Sequence, residues 1–526
     1  MNVGLIDQEQ RKKFFPEIIH DHGLSNSGGI AFAQGDQTVT WREFARRSSQ
    51  IANRLRKLGS GKGDRIAIMG RNSIAYSEVM AGVLTAGTAV VPLPTLVSID
   101  TIQLILLDSC PRHLFLDQQY LETVSEVLQS KELQSEIELI GLDFDNETVM
   151  SYDCWCQDAS DSWPDVAIEA GDIFGILYSS GTTGVPKGIL LDHGVRLDQA
   201  ATMSSAGFDQ NAVNVISTPL YTYGALSAWM PTIFGGGCNV LMEKFDAFAF
   251  LSLIEKHCAT HAMLVPAQYD RIMRESEFDS FDISSMQYWF GGSAPMSVGL
   301  KEEIVGRLPG EIFEFYSLTE GGVTTAFLPK YFPDKLASVG QPANGCVIKI
   351  LDEKGNELPV GATGEVVGRS PIKMAGYLNR EDLNRDIIWK DDEGFEYIRS
   401  GDNGRLDEDG FLYLGDRKKD MIISGGQNVY AADIEAILQE HSNIHEVAVI
   451  GVPSKKWGES PLAIVTLEKG ADVDIDELKV WVNSRLGKTQ RISAIEVWPE
   501  LPKNHLGKVR KNVLRQTFAD QKRIID

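Results

Sequence analysis

The sequence is poor in the features that mark exported, membrane-spanning or disulfide-stabilised proteins. Its 526 residues include only six cysteines, scattered at positions 110, 154, 156, 238, 258 and 346. A disulfide framework would be denser, so we expect a reducing, cytoplasmic environment. The first twenty residues lack the apolar core of a signal peptide. The most apolar long stretch, residues 79–97, is interrupted by threonine, glycine and proline. We therefore expect no export and no transmembrane segment.

Positive charge is also scarce, since 50 Lys and Arg residues face 73 Asp and Glu residues and give a net charge of −23. Such a field repels DNA, RNA and anionic lipid, so we do not expect a nucleic acid partner. Two short metal-like patterns are weak. Cys154 and Cys156 have no second cysteine pair. His257 and His261 lack the intervening glutamate of a metalloprotease helix, so we predict a zinc site at neither pair.

The length exceeds what one hydrophobic core supports and predicts at least two domains. Helical and strand patterns alternate from about residue 30 to 415, which indicates a layered α/β architecture. Thr40 and Glu43 have the spacing of a capping box at a helix start. Residues 352–368 and 407–426 have the alternation and glycine-rich turns of β-hairpins. After residue 418 short strands and helices predict a compact domain of roughly a hundred residues.

One stretch stands out, "YSSGTTGVPKG" at residues 178–188. It follows an apolar run, residues 172–179, that is typical of a buried strand. Glycines allow close backbone approach, and hydroxyls, backbone N–H groups and a lysine attract oxygens, so the pattern predicts a phosphate site. It is not a Walker A loop, because two residues separate the last glycine from Lys187 and no hydroxyl residue follows that lysine. No serine-hydrolase elbow surrounds Ser179 and Ser180.

This loop resembles the phosphate loop of the adenylate-forming superfamily, which includes acyl-CoA synthetases, luciferases and peptide-synthetase adenylation domains. Further motifs follow in the family's order over nearly the whole chain. "GGSAP" at residues 291–295 resembles its adenine-binding turn, and "FYSLTEGG" at 315–322 its Tyr-Gly-x-Thr-Glu motif. Residues 397–420 and "LPKNHLGKVRK" at 501–511 resemble its hinge region and its C-terminal lysine motif. The resemblance implies an N-terminal domain, residues 1–417, of α/β subdomains plus a β-barrel-like piece, and a mobile α+β domain, residues 418–526.

The resemblance also implies the chemistry and the residues that perform it. A carboxylate attacks the α-phosphate of ATP with Mg²⁺, and a thiol then attacks the acyl-adenylate. The implied phosphate loop comprises Ser179, Ser180, Gly181, Thr182, Thr183, Gly184 and Lys187. The implied nucleoside site comprises Gly292, Ser293, Ala294, Pro295 and Tyr316 at adenine, with Asp402 at the ribose and Arg417 at the ribose or the phosphate. Thr319 is implied at the α-phosphate and Glu320 as the magnesium ligand, and both are implied as catalytic together with Lys187 and Lys508.

The C-terminal domain is implied to move between the two steps. Lys508 would bridge carboxylate and phosphate during adenylation and then withdraw as the domain rotates about Lys419. Gly425 and Gly426 resemble the loop that lines the pantetheine tunnel for coenzyme A. These glycines favour coenzyme A as the acceptor. An acyl carrier protein is the alternative, because it presents the same pantetheine thiol.

Two departures from the family pattern concern the acid. Serine replaces glycine at Ser317, and Thr222 stands where many acyl and aryl ligases carry histidine. The predicted acid pocket comprises Tyr221, Tyr223, Phe290, Gly291, Ser317 and Gly322. It is apolar and aromatic, and Gly291 and Gly322 are expected to leave it roomy. No carboxylate is expected there to bind an α-amino group, so the sequence favours a fatty, aromatic or cyclic acid. An acyl-AMP ligase, a non-catalytic adenylate sensor and a luciferase-like oxygenase remain as alternatives.

Overall fold

A computed structural model describes residues 13–130, 137–180, 185–294, 296, 298–414, 421–502, 509 and 511–520. Its helices are α1 Phe15–Ser25, α2 Trp41–Lys57, α3 Ile74–Thr85, α4 Ile99–Ser109, α5 Leu121–Leu128, α6 Tyr152–Cys156, α7 His193–Ser204, α8 Tyr223–Gly235, α9 Ala247–His257, α10 Pro266–Met273, α11 Val298–Arg307, α12 Glu381–Asp386, α13 Ala431–Gln439, α14 Ile475–Asn483 and α15 Lys511–Asp520.

The strands alternate with these helices through most of the chain. They are β1 Ile30–Gln34, β2 Gln37–Thr40, β3 Arg65–Met69, β4 Ala89–Pro92, β5 His113–Leu116, β6 Glu138–Gly141, β7 Met150–Ser151, β8 Ile173–Ser180, β9 Pro186–Asp192, β10 Val213–Ile216, β11 Cys238–Leu241, β12 His261–Leu264, β13 Tyr288–Gly291, β14 Glu311–Ser317, β15 Thr324–Phe327, β16 Gln341–Pro342, β17 Val347–Leu351, β18 Gly364–Arg369, β19 Gly376–Tyr377, β20 Ile388–Lys390, β21 Glu396–Leu406, β22 Leu412–Leu414, β23 Met421–Ser424, β24 Gln427–Tyr430, β25 Ile444–Ser454, β26 Gly458–Leu467 and β27 Ala494–Val497.

Two large, mostly parallel sheets organise the N-terminal part. One has the strand order β16-β15-β14-β13-β12-β10-β11-β1-β2, and the other the order β19-β9-β8-β4-β3-β5-β6-β7. Side chains of β1, β3 and helices α2, α3 and α8 belong to one hydrophobic core shared by both sheets. Helices covering largely parallel sheets are the arrangement that the alternating sequence pattern predicts. The layered α/β expectation is confirmed.

Local sequence signals account for several of these elements. The capping box at α2 is confirmed, because Thr40 Oγ1 accepts from the Glu43 N–H at 3.2 Å and the Glu43 carboxylate accepts from the Thr40 N–H at 2.9 Å. The apolar stretch 79–97 divides between α3 and β4, as its glycine and threonine residues indicate. Among the helices of the described residues, none is both long and apolar enough to cross a bilayer.

A third, antiparallel sheet supplies the barrel-like piece. Its order is β17-β18-β21-β20, and β22 pairs with the C-terminal end of β21 on the same side as β20. The hairpin predicted at residues 352–368 is confirmed, since these residues connect the paired strands β17 and β18 and include part of β18. The stretch 407–426 is divided between two hairpins, because β22 pairs with the preceding β21 and β23 pairs with the following β24, which belongs to another sheet.

The small C-terminal domain has its own sheet, of order β24-β23-β26-β25 with β27 on β26. Its core is formed by residues such as Ile422, Val449 and Val465, which are fully or almost fully buried. The mixed α/β model therefore has a large N-terminal part and a small C-terminal domain. The boundary predicted between residues 417 and 418 lies in 415–420, outside the described residues, and stays a prediction.

The C-terminal domain is seated against the N-terminal part through two short segments. The turn between β23 and β24 brings Gly426 against Val265, where an added Cβ would be 2.9 Å from a Val265 methyl. Near the end of α14, the Thr489 hydroxyl donates to the Leu96 carbonyl at 3.4 Å. A Cβ on the buried Gly487 would come within 2.2 Å of that same carbonyl oxygen. The C-terminal domain can therefore occupy this position only if residue 487 has no side chain.

Candidate active site

Two neighbouring parallel strands, β13 and β14, end at the same edge of their sheet, with Gly291 opposite Glu314. The predicted adenine-binding turn follows β13, and Tyr316 lies near the end of β14. Tyr316 is 9% exposed, and its hydroxyl donates to Asp402 Oδ2 at 2.6 Å. Asp402 lies on β21 of the third sheet and is 5% exposed. The structure thus brings together a predicted base-stacking ring and a predicted ribose ligand 86 positions apart in the chain.

The predicted phosphate loop is the tip of an antiparallel hairpin. Strands β8 and β9 pair with Ser179 opposite Lys187 and Ser180 opposite Pro186. The buried strand predicted before the loop is therefore confirmed as β8. Both serines and Lys187 stand at the base of this tip. Gly181, Thr182, Thr183 and Gly184 lie outside the described residues.

A residue absent from the sequence predictions, Tyr377, connects this hairpin to the Thr319–Glu320 turn. It lies on β19, which pairs with β9 and places Tyr377 opposite Ile189. The Lys187 ammonium nitrogen is 5.2 Å from the centre of the Tyr377 ring, within the range of a cation–π contact. The Tyr377 hydroxyl donates to Glu320 Oε1 at 2.8 Å. One tyrosine thereby contacts both the predicted phosphate-binding cation and the predicted metal ligand.

The backbone beside Tyr377 holds the same turn in place. The Met374 N–H donates to the Glu320 carbonyl at 2.8 Å, and the Gly322 N–H donates to the Ile372 carbonyl at 2.9 Å. Residues 372–377 therefore link the turn after β14 to the edge of the second sheet. No local sequence signal indicated this link, because it depends on pairing between residues almost 190 positions apart.

The predicted acid pocket is only partly as expected. Phe290 is 1% exposed and belongs to an aromatic cluster with Phe208 and Phe315, at centroid distances of 5.6 and 6.0 Å. A Cβ on Gly291 would lie 3.0 Å from a Met296 methyl group. That methyl group is the end of a flexible side chain, so open space at Gly291 stays a prediction.

The expectation of space at Gly322 is wrong. This residue has a φ of +78°, and a Cβ there would lie 2.5 Å from the Ile398 side chain and 2.9 Å from the Gly368 carbonyl. Glycine is required because the chain turns through the left-handed region while it packs against the third sheet. Ser317, the other departure near this point, is part-buried, and its hydroxyl lies 3.2 Å from that of Thr324.

Thr222, which replaces a histidine common in related ligases, has a structural role. Its hydroxyl accepts from the Ala225 N–H at 3.3 Å and donates to the Pro219 carbonyl at 2.8 Å. It is therefore the N-cap of α8. Tyr223 begins that helix and is half-buried, as is Tyr221 two residues earlier.

The C-terminal domain reaches this pocket through the residue after its two glycines. Gln427 Nε2 lies 2.8 Å from the Tyr221 hydroxyl and donates to it. The Thr489 hydroxyl lies 3.3 Å from Gln427 Oε1 and 3.4 Å from the Leu96 carbonyl oxygen, so its one proton is shared between these two acceptors. Burial raises the pKa of Tyr221, so the phenol keeps its proton at neutral pH. Gly425 and Gly426, predicted to line the thiol tunnel, therefore lie in the turn that faces the acid site.

Four further predicted residues lie outside the described part of the chain: Pro295, Arg417, Lys419 and Lys508. Among the residues that the structure does describe, no group of three or more His, Cys, Asp or Glu side chains is placed to hold a metal ion. His257 ends α9 while His261 lies in β12, so these two histidines do not share a helix. A cation at the site would depend on Glu320 together with oxygens of its ligand.

Comparison with known proteins agrees with this geometry. The model of the AMP-binding enzyme family matches residues 22–378, and that of the AMP-binding enzyme C-terminal domain matches residues 433–508. A feruloyl-CoA synthase of an Amycolatopsis species is 31% identical over 495 residues, covering 93% of this chain and 96% of that protein. The fatty acid–[acyl-carrier-protein] ligase ScoC of Streptomyces coeruleorubidus is 30% identical, covering 92% of each chain.

Solved structures show the same fold over the same extent. The amide bond synthetase McbA from Marinactinospora thermotolerans superposes with a TM-score of 0.85 at 25% identity, covering 96% of this chain and 100% of that one. An o-succinylbenzoate CoA synthetase, MenE from Bacillus subtilis, superposes with a TM-score of 0.81 at 27% identity, covering 95% and 98%. The chain belongs to the AMP-binding, adenylate-forming enzyme superfamily, among whose members its distant homologues are acyl- and aryl-CoA ligases.

Proposed function

We propose that the protein is an ATP-dependent ligase that joins a carboxylic acid to the thiol of coenzyme A through an acyl-adenylate. The observation that carries this proposal is one continuous set of contacts. Asp402 is hydrogen-bonded to Tyr316, and Glu320 follows Tyr316 by four positions in the chain. Glu320 is in turn hydrogen-bonded to Tyr377, whose ring lies beneath Lys187. A nucleotide along this edge would meet a ribose acceptor at one end and a phosphate-binding cation at the other.

In the first half-reaction an acid oxygen would bond to the α-phosphorus while the bond to pyrophosphate breaks. Two anions must approach, so fixed positive charge near the phosphates lowers the barrier. Lys187 would supply part of that charge from the base of the loop. The Tyr377 hydroxyl occupies Glu320 Oε1, and Oε2 is the oxygen that a hard cation such as Mg²⁺ would take. When bound, Mg²⁺ would neutralise charge on the departing pyrophosphate.

In the second half-reaction the thiol sulfur would bond to the acyl carbon, lose its proton, and release AMP. The position of the C-terminal domain supports this step. Its glycine turn faces the acid site, and Gln427 is hydrogen-bonded to Tyr221. We infer that the described arrangement is the one used for thiol attack, with Gly425 and Gly426 beside the incoming pantetheine arm.

A carrier protein is the second candidate acceptor. The relationship to ScoC, whose name gives an acyl carrier protein as the acceptor, favours keeping it. Both acceptors would present the same thiol to the same turn. A comparison of the two acceptors at equal thiol concentration decides between them.

The nucleotide products test the proposal directly. With its acid and ATP, the purified protein is expected to form AMP and pyrophosphate, and to form a thioester once coenzyme A is added. A screen of carboxylic acids by pyrophosphate release, followed by chromatography of nucleotides and thioesters, measures both steps. ADP and phosphate as the products would contradict the proposal.

The Gln427–Tyr221 contact gives a second test. Gln427→Ala removes the hydrogen bond that holds the glycine turn at the acid site, so we expect thioester formation from preformed acyl-adenylate to slow about ten-fold. Adenylation, followed by ATP–pyrophosphate exchange, should be unchanged. Gln439→Ala is the matched control, since that side chain bonds the His445 carbonyl inside its own domain. An equal loss in both half-reactions would show that Gln427 supports the fold instead.

A further inference from the structure

The first turn of α7 holds a buried cation that the proposed chemistry does not use. Arg196 is 1% exposed. Its Nη1 donates to Gln199 Oε1 at 2.9 Å and to the Tyr223 hydroxyl at 2.8 Å. Both acceptors are neutral, and no carboxylate of the described residues forms an ion pair with this guanidinium. The two remaining nitrogens, Nε and Nη2, are buried and have no hydrogen-bond acceptor.

An unpaired buried charge is costly, and two other cations show the usual arrangement: the part-buried Arg47, whose side chain is 20% exposed, and the buried Lys301. Arg47 contacts Glu78 at 3.5 Å and also Asp153. Lys301, only 2% exposed, contacts the buried Glu314 at 2.6 Å. The Arg196 guanidinium differs from these two cations because it has no counter-ion, and a bound anion would offset the cost of its burial.

The geometry of the unused nitrogens defines that anion. Nε and Nη2 lie on the same edge of the guanidinium plane and present two parallel N–H bonds. A carboxylate accepts both at once, which is the strongest and most selective pairing that arginine makes. The free edge of Arg196 therefore matches a carboxylate better than a hydroxyl or a carbonyl, which accepts with one oxygen.

The position of Arg196 connects it to the acid site. Tyr223, whose hydroxyl contacts the guanidinium, is followed by Gly224. A Cβ on Gly224 would lie 3.2 Å from the Ser293 hydroxyl in the turn after β13. The backbone of α8 at Tyr223 thus lies beside the site. The Arg196 guanidinium contacts the Tyr223 hydroxyl, and its central carbon lies 5.5 Å from the centre of the Tyr223 ring, a cation–π contact that does not replace an anion. Tyr223 is half-buried and belongs to the predicted acid pocket, so its side chain links that pocket to Arg196.

We propose that Arg196 binds a second carboxylate at the distal end of the acid substrate, so that the enzyme activates one end of a dicarboxylic acid. This rests on the proposed ligase function and narrows its substrate class. The distal carboxylate would accept from Nε and Nη2, while Gln199 and Tyr223 hold Nη1. An acid without that second charge would leave the guanidinium unpaired.

A substrate comparison on the wild-type enzyme tests the proposal. Aliphatic and aromatic dicarboxylic acids are each compared with their half methyl esters by ATP–pyrophosphate exchange. We expect kcat/KM for the preferred diacid to exceed that for its half ester by about a hundred-fold. Half esters or simple monocarboxylic acids that react as well as every diacid would overturn the proposal and leave the ligase function standing.

Arg196→Met separates ligand binding from a structural role. A buried charge replaced by an apolar side chain of similar length is expected to leave the thermal midpoint unchanged or raise it, while the preference for diacid over half ester falls to near one. Arg47→Met is the matched control: it should lower the midpoint, because it strands Glu78, without changing that preference. A lower midpoint with an unchanged preference in the Arg196 variant would overturn the proposal.

Binding measured without turnover tests the anion site at Arg196 separately from the ligase function. Calorimetric titration with the diacid should show binding to the wild-type protein and at least a ten-fold weaker affinity in Arg196→Met. If the diacid binds in this way but no acid supports pyrophosphate exchange, the ligase function fails and the anion site stands. If the diacid binds both proteins equally or neither, the anion site is wrong.

Discussion

Lys508→Ala is expected to lose adenylation and to keep thioester formation. The implied role of Lys508 is to contact the acid carboxylate and the α-phosphate while charge moves to the leaving pyrophosphate. Loss of one such transition-state contact typically reduces a rate by about a hundred- to a thousand-fold. In the described arrangement the face of the C-terminal domain at the site is the β23–β24 turn, so the thiol step should proceed without the lysine.

Two assays on one protein sample measure this separation. Adenylation is followed by ATP–pyrophosphate exchange, and the second step by thioester formation from synthetic acyl-adenylate and coenzyme A. Lys469→Ala, an exposed lysine in the same domain, is the control and should leave both rates unchanged. An equal loss in both assays would mean that one arrangement serves both steps, and the case for a rotating domain would fall.

Glu320→Gln is expected to have a similarly large effect, about a hundred-fold or more on adenylation, with a higher Mg²⁺ concentration needed for half-maximal rate. The substitution keeps the size of the side chain and the acceptor for the Tyr377 hydroxyl while it removes the negative charge. The measurement is pyrophosphate exchange across a magnesium titration.

Tyr377→Phe is the matched partner variant. It keeps the ring beneath Lys187 and removes the hydrogen bond to Glu320, so we expect a loss of about ten-fold. If Glu320→Gln left the magnesium requirement unchanged, Glu320 would not be the metal ligand. If Tyr377→Phe matched Glu320→Gln in severity, the tyrosine would contribute more than the positioning of that carboxylate.

Local signals predicted the elements well where neighbours in sequence decide the structure. The capping box of Thr40 and Glu43, the strand before the phosphate loop and the β21–β22 hairpin of the third sheet all depend on residues a few positions apart. The proximity of Tyr316 and Asp402 could be predicted, because the family motifs assign both residues to the nucleoside site.

The remaining features depend on distant pairing, which a single sequence does not display. Tyr377 reaches Glu320 only because β19 adds to the edge of β9. Gly322 was interpreted as open space, although its conformation and its contact with Ile398 require glycine. Arg196 gave no signal, because an arginine in the first turn of a helix is ordinarily solvated; its burial follows from the packing of α7 against α8.

The contact of Gly487 with Leu96 affects how the enzyme is distributed between different positions of its C-terminal domain. The two segments meet so closely that even a methyl group on residue 487 would collide with a carbonyl oxygen. Such a fit is either made or lost, because a displacement of an ångström removes the contact and its neighbouring hydrogen bond at Thr489. We therefore expect the seated domain to be a discrete state, with the enzyme switching between two populations instead of drifting through intermediates. The fraction of acyl-adenylate that reacts with the thiol would then depend on the fraction of molecules in which the C-terminal domain occupies this position.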